Sequence, residues 1–488
     1  MPELTGKVKI PAWIWALALG FVALNAIAIA KEFYFVPLIP VALLVIWIAF
    51  TRFDILLLAT VLFVPVSLQL NYFMEDIGVN LYLPTEPMLA LIMIIMLMRY
   101  LKGYRTDIRL LRHPVSLSIY FYLAWMVITI ITSSNPLVSV KFFVSQIWFL
   151  AGFYLAGLEI FRKKENMKRY IWMYVITFSV VIIYTLARHS VYGLDNQMMA
   201  HSMMQPFYKD HTSYGATLAF LIPVLIALFT DIKRGDANNR FLLFLLLLFF
   251  VLATLFSYTR AAWVSLIGGL GVWVLIKLRI RIEIVALMGA IAVGLFFVFQ
   301  STIMMRLEEN RTRSSGDIAE HVQSISNISN DQSNLERINR WSCAIRMWKE
   351  RPVFGFGPGT YQFEYARFQR SYERTQISTD FGTRGRAHSE YLGPLAESGF
   401  PGMISILLIL GTTIFTGIRV YLRAKTPTIR KLSLGLLIGL ITYYIHGIMN
   451  NFLDTDKASS LFWGFTAMLV VMDVYHNRKN PEEEQDPA

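Results

Sequence analysis

Apolar stretches of about 20 residues, the length a helix needs to cross a bilayer, recur along most of this 488-residue chain. They begin near residues 11, 33, 53, 85, 114, 138, 168, 213, 241, 261, 281, 402, 430 and 458. The pattern predicts an all-α polytopic membrane protein with about 12–14 transmembrane helices. The second and third runs are separated only by Thr51-Arg52-Phe53-Asp54, the ninth and tenth only by Ser257 to Arg260. Pro11 to Ala30 is long enough to span, and another apolar run follows at once, so it reads as a first span and not as a cleaved signal.

Two polar stretches interrupt the pattern. Ala187 to Thr212 holds three histidines and several methionines, and residues 301–400 form a long loop. The expected division is 1–300 for transmembrane helices 1–11, 301–400 for a large extracytoplasmic loop, 401–476 for the last spans, and 477–488 for a cytoplasmic tail. The first part of the loop, "RTRSSGDIAEHVQSISNISNDQSN", predicts a flexible polar segment. Its second part is patterned. Leu335, Ile338, Trp341, Ile345 and Trp348 recur at spacings of three and four, the mark of an amphipathic helix, which should stop at Arg351-Pro352. The glycine-rich turn "VFGFGPGT" follows, then a second aromatic helix expected near Tyr361–Tyr372, then "FGTRGRAHSEYLGPLAESGFPG" leading into the next span. No internal repeat is visible.

Charge orients this array. With the N-terminus inside, the loops Arg99–His113, Phe161–Arg169, Asp231–Arg240, Lys277–Arg281 and Arg423–Lys431 are cytoplasmic, and each is rich in Lys and Arg. The opposite loops Asn71–Thr85 and Ser133–Val138 carry almost none, as the positive-inside rule requires. The net charge of +12 therefore belongs to topology, and no basic soluble domain suggests nucleic acid. Only 16% of residues are charged against 55% hydrophobic, well below the charge of a soluble domain. The single cysteine, Cys343, allows no internal disulfide and no metal cluster.

Charged residues at the membrane lip are costly and so worth naming. Arg260 stands in "LFSYTRAAWVSL", where it either snorkels or grips a phosphate with its planar fork. Arg337 and Arg340, three apart in "LERINRWSCAIRMW", project from one side of the loop helix, to solvent, to Glu336 and Glu350, or to a ligand. His388 in "RGRAHSEYL" is the best proton-transfer candidate, because histidine titrates near neutrality and this one precedes a re-entering span. Glu390 and Glu397 are carboxylates near enough in sequence to orient it. His211, beside Asp210, is a second candidate, ahead of His189 and His201. There is no Walker P-loop, no HExxH zinc site, no G-x-S-x-G elbow and no early acidic pair for a nucleotide-sugar metal. A transporter of lipid-linked glycans, the rival from another class, would be expected to show repeated halves.

The sequence from "YTRAAWVSL" through "ERINRWSCAIRMWKERPVFGFGPGTYQF" to "AHSEYLGPLAESGFPG" resembles the O-antigen ligase and polymerase superfamily, over roughly residues 200 to 470. The resemblance implies a GT-C-like membrane glycosyltransferase of the bacterial inner membrane, with its large loop in the periplasm. It implies inverting transfer of a glycan from a polyprenyl (undecaprenyl) diphosphate carrier to an acceptor hydroxyl, with no cofactor and no metal. It implies His388 as base, although Ser389 stands where asparagine is common in the family. Arg260 and Arg337 match the catalytic arginines, with Arg340 as the alternative to Arg337, and Arg340, His211, Arg386 and Trp341 are expected to bind substrate. The partners implied are the lipid-linked donor, an acceptor such as lipid A core, and membrane lipids. Ligase, polymerase and protein O-glycosylation chemistry all fit the same residues.

Overall fold

The computed structural model describes residues 11–31, 36–72, 81–233, 235–280, 332–374, 378–379 and 385–476. The span expected near 281, the polar stretch 311–331 and the tail beyond His476 lie outside those residues. The helices are α1 (Ala12–Ala30), α2 (Ile39–Thr51), α3 (Phe53–Phe63), α4 (Thr85–Leu101), α5 (Ile108–Leu111), α6 (Pro114–Ile131), α7 (Pro136–Phe149), α8 (Gly157–Ile160), α9 (Lys164–Val191), α10 (Gln197–Ala200), α11 (His211–Asp231), α12 (Ala237–Phe256), α13 (Arg260–Lys277), α14 (Gln332–Glu350), α15 (Tyr361–Glu364), α16 (Leu392–Arg423), α17 (Pro427–His446) and α18 (Asp456–Val471). Among the described residues the only sheet is the antiparallel pair β1 (Leu68–Gln69) and β2 (Tyr82–Leu83), with Leu68 opposite Leu83 and Gln69 opposite Tyr82.

A helix stands at every expected span except the one near 281, but only ten described helical runs are long and apolar enough to cross a bilayer. One of them joins α7 to α8 through a π-helical turn, Leu150–Ala156, as a run of 25 residues. α2, α3 and α4 have 13, 11 and 17 residues and fall short of a full crossing. Their limits are local. Arg52 and Asp54 pair at 3.2 Å between α2 and α3, and α3 gives way to a 3-10 turn that carries Pro65, whose missing N–H cannot continue the ladder.

Two compact units follow the chain, Met1–Leu56 and Leu57–Ala488. In the first, α1 exposes Trp13, Leu17, Leu19 and Val22, the surface of a helix made for lipid. In the second, α11, α17 and α18 form the interior, each mostly buried along its length. α12 leaves Phe241, Leu242, Phe244 and Leu245 exposed on its outer side. Without water to drive helices together, close packing needs small residues. Gly435 and Gly439 supply them on α17: a Cβ at Gly439 would come within 2.6 Å of the Phe220 carbonyl of α11.

A buried polar cluster fixes the start of α18. Asp456 accepts hydrogen bonds from Ser67 Oγ (2.6 Å) and Thr85 Oγ1 (2.5 Å), and Lys457 Nζ donates to Ser67 Oγ (2.6 Å). Both charges are buried, so their hydrogen bonds offset the loss of water.

Candidate functional site

The loop helix α14 ends at Glu350, as Arg351-Pro352 requires. Its buried side is not the apolar stripe. The residues facing the loop's core are Glu336, Asn339, Arg340, Cys343, Ala344 and Met347, while Leu335, Ile338, Trp341 and Trp348 are half-buried and Ile345 is exposed. At about 100° per residue the two sets lie on opposite sides of the helix. The polar members of the buried side satisfy one another. Arg340 Nε donates to Glu336 Oε1 (2.7 Å), and Asn339 Nδ2 donates to Gln369 Oε1 (3.0 Å). Cys343, Ala344 and Met347 pack with Phe356, Tyr361, Tyr365, Ala387 and Ala396.

The second aromatic helix is shorter than expected: α15 holds four residues and passes into a 3-10 turn, Tyr365–Phe368. Arg346 Nε takes the Phe368 carbonyl at 2.7 Å and Gln369 is extended, which ends the helical ladder there. The glycine-rich turn clamps the loop to the membrane helices. Gly357 N donates to the Glu397 carbonyl (2.7 Å) and Ser134 N to the Phe356 carbonyl (2.8 Å). Gly357 has φ +106°, and a Cβ there would collide with Ser133. The facing partner, Gly399, breaks α16 with φ +69°, and a Cβ on it would meet the Val353 carbonyl. Only glycine occupies such a left-handed, crowded position without strain.

His388 stands where the loop rejoins the membrane domain, itself left-handed at φ +49°. Its carbonyl accepts from Trp341 Nε1 (3.3 Å), and the preceding Arg386 carbonyl accepts from Arg340 Nη1 (3.1 Å). On its other side Ser389 Oγ accepts from the N–H groups of Tyr391 and Leu392 (both 3.3 Å), and Glu390 N donates to the Gly447 carbonyl (2.8 Å) at the end of α17. Neither expected carboxylate orients the ring. Glu390 accepts from Tyr443 Oη (2.6 Å) and from Phe452 N (2.7 Å) and Leu453 N (3.0 Å). Glu397 accepts from Gly359 N (2.9 Å) and Tyr361 N (3.0 Å). Both carboxylates are committed to backbone amides that their sequence distance from His388 did not reveal.

The charges around the imidazole come instead from two other elements. Burial, then the guanidinium groups of Arg340 and Arg337, push the His388 pKa down to about 3, with Asp210 opposing and Lys209 adding to the effect. His388 is therefore neutral at pH 7, the form that accepts a proton. Burial works to raise the Asp210 carboxyl, yet it stays below the usual range because Thr212 Oγ1 (2.7 Å) and Ser213 N (2.8 Å) donate to it and His211 lies beside it.

Asp210 also caps α11, whose first residue is His211, and the ring of His211 stacks on that of His201 at 4.0 Å. The His211 carbonyl accepts from Thr259 Oγ1 at 2.7 Å, which ties the start of α11 to the start of α13, where Arg260 is the first residue. Gly215 makes this approach possible, since a Cβ on it would meet Thr259 at 2.6 Å. The loop residues His388, Arg337, Arg340 and Trp341 thus lie together, and the segment Lys209–His211 joins them electrostatically and links onward to the turn that carries Arg260. Arg386 stands apart: its guanidinium pairs with Asp454. Lys209 was not singled out from the sequence, and Asp210 was named there only as the neighbour of His211.

Residues 242–407 match the O-antigen ligase family. The O-antigen ligase match covers α13, the long loop with α14 and α15, and the first half of α16, so it includes Arg260, Arg337, Arg340 and His388. The chain is also similar to an uncharacterized protein of Haemophilus influenzae, 23% identical over 249 residues, which is 50% of this chain and 59% of the relative. The chain therefore spans about three-fifths of that relative's length.

Proposed function

We propose that this protein is a membrane glycosyltransferase of the O-antigen ligase type, moving a glycan from a polyprenyl diphosphate carrier to an acceptor hydroxyl. The observation that carries the reading is a neutral histidine gathered with cationic side chains at the junction of loop and membrane helices. As the glycosidic bond to the diphosphate breaks, negative charge grows on the leaving group. Arginines fixed beforehand stabilise that charge without reorganising. Arg337 is the first candidate for this task and Arg340 the alternative; the Arg340 guanidinium is fixed by Glu336 and the Arg386 carbonyl. Arg260, at the start of α13, serves the same diphosphate from the membrane side. His388 removes the proton from the attacking acceptor hydroxyl. The apolar stripe of α14, with Trp341 next to His388, offers a surface for the isoprenoid.

On this reading the loop 301–400 faces the periplasm and the enzyme works in the bacterial inner membrane, by inversion and without a metal. Lipid A core, a second lipid-linked repeat unit and a protein hydroxyl are the acceptors to be compared. The test is glycan transfer in reconstituted bilayers with a lipid-linked donor and each acceptor in turn. His388→Ala should abolish transfer with the protein still folded, and full activity in that variant would sink the reading.

A further inference from the structure

The segment between α4 and α6 meets two others on one face of the protein. Thr106 Oγ1 donates to Glu159 of α8 at 3.0 Å, and Arg99 of α4 pairs with the same carboxylate at 3.1 Å. The hydroxyl of Tyr475, just beyond α18, donates to Asp107, and the guanidinium groups of Arg109 and Arg162 lie over its ring at 5.1 and 5.4 Å. The spanning-length runs Pro114–Ile131 and Lys164–Val191 begin at this face, and Asp456–His476 ends at it. The face is therefore level with one membrane–water boundary.

Positive charge is left over here once the fold's own needs are met. Glu159 is engaged by Arg99 and Thr106, and Asp107 by Arg109 (2.8 Å) and Tyr475. Lys102, Arg105, Arg112, Arg162, Lys163 and Lys164 are exposed, and none of them pairs with a carboxylate among the described residues. Basic residues at neighbouring helix ends are used differently. Lys168 pairs with Asp231 (3.0 Å), Arg430 donates to the Ala424 carbonyl (3.1 Å) and Lys431 to the Thr230 carbonyl (2.5 Å). Apolar and aromatic surface is interleaved with the surplus cations. Tyr100, Leu101, Tyr104 and Ile108 are all exposed, and the Arg105 guanidinium lies over the Tyr100 ring at 4.0 Å. A soluble anion would meet the cations and leave Leu101 and Ile108 in water. A bilayer surface meets both: tyrosines sit at headgroup level, apolar side chains enter the acyl boundary, and Lys and Arg face anionic lipid.

We propose that this face selectively binds anionic phospholipids, their headgroups against Lys102, Arg105, Arg112 and Lys163 and their upper acyl chains against Leu101 and Ile108. The binding does not depend on the transferase reading. It draws the α4–α6 segment, the start of α9 and the end of the α18 run onto one lipid surface. These three are separated by long stretches of sequence, and within the protein they are joined here through Glu159, Asp107 and Tyr475.

The experiment uses the full chain in detergent micelles, titrated with dioleoyl phosphatidylglycerol or dioleoyl phosphatidylcholine, with bound lipid read by native mass spectrometry. A Lys or Arg near an anionic surface contributes about fivefold in affinity, and a headgroup meets one or two of them, so a preference of about five- to 25-fold for phosphatidylglycerol is expected. Raising NaCl to about 0.5 M should largely remove it. So should Lys102→Gln/Arg112→Gln/Lys163→Gln, whereas Lys233→Gln/Lys277→Gln/Lys425→Gln, which takes the same charge from exposed positions in other basic loops, should keep it. Equal loss in the two triple variants would overturn the inference, because the charge would then act diffusely. So would equal binding of the two lipids by the parent, a comparison that needs no variant to fold. Equal affinity for glycerol 3-phosphate would mean a soluble-anion site and would also overturn it. Lipid is read with no glycan donor present, and His388→Ala should keep the full preference, so the lipid site and the transferase reading stand or fall separately.

Discussion

The pH dependence of transfer tests the electrostatics of His388 most directly. A histidine in water titrates near 6.5. Here burial, Arg340 and Arg337 push it down to about 3. The difference corresponds to about 5 kcal/mol favouring the neutral ring. The acid limb of kcat/KM reports the free enzyme, so His388 should contribute no limb between pH 5 and 8. The limb of kcat reports the complex. A bound diphosphate neutralises the guanidinium groups, so this limb should sit higher, closer to neutrality. Removing one positive charge with Arg337→Gln should raise the free-enzyme limb by about one unit and cut kcat on the order of a hundredfold. Stability follows the same linkage. The folded pKa lies below the unfolded one, so between about pH 6.5 and 3 the unfolded chain binds a proton that the folded chain refuses. Stability therefore falls as pH is lowered through that window, and His388→Gln should flatten the fall. Initial rates from pH 4 to 8 with saturating and limiting donor make the measurement. A kcat/KM limb centred near 6.5 that Arg337→Gln leaves in place would refute the reasoning.

Three further outcomes follow from the loop. Arg340→Met strands the Glu336 carboxylate, whose side chain is only 5% exposed; a loss of about 3–5 kcal/mol is expected, largely restored by adding Glu336→Leu, and thermal unfolding of the two variants decides it. Glu397→Ala leaves the amides of Gly359 and Tyr361 without an acceptor, so their hydrogen exchange should quicken on the order of tenfold or more, and unchanged exchange would contradict the clamp. Gly399→Ala places a Cβ against the Val353 carbonyl at φ +69°, which should cost at least about 1–2 kcal/mol and lower the folded yield.

Much of the fold was legible because a bilayer imposes one rule on every span: length and apolarity. That rule located a helix at thirteen of the fourteen expected starts, the other lying outside the described residues. It overcounted full crossings because α2, α3 and α4 are apolar but cut short by Arg52, Pro65 and the turn at Lys102-Gly103, and hydropathy weighs such stops lightly. In the loop the rule misleads. A helix with an apolar stripe is expected to bury it, yet α14 buries Glu336, Asn339 and Arg340, because in that small domain a closed set of polar partners fills the space beneath it. His388, Arg337 and Arg260 are candidates that local motifs alone suggest. The carboxylates could not be sorted that way, since Glu390, Glu397 and Asp210 differ only in which backbone amides and cations the fold brings to them.

That sorting matters for mechanism. A transferase must hold an anionic leaving group and a neutral nucleophile on either side of one proton acceptor, and must keep each out of the other's place. In this protein Glu390 and Glu397 are committed to backbone amides instead of to the His388 ring. This ties the loop to the membrane helices through Phe452–Leu453 on one side and Gly359–Tyr361 on the other. Asp210 is held differently: its charged neighbours are His211 and Lys209. Its carboxylate is held by Thr212 and Ser213, so its charge is turned to the start of α11 before any substrate arrives.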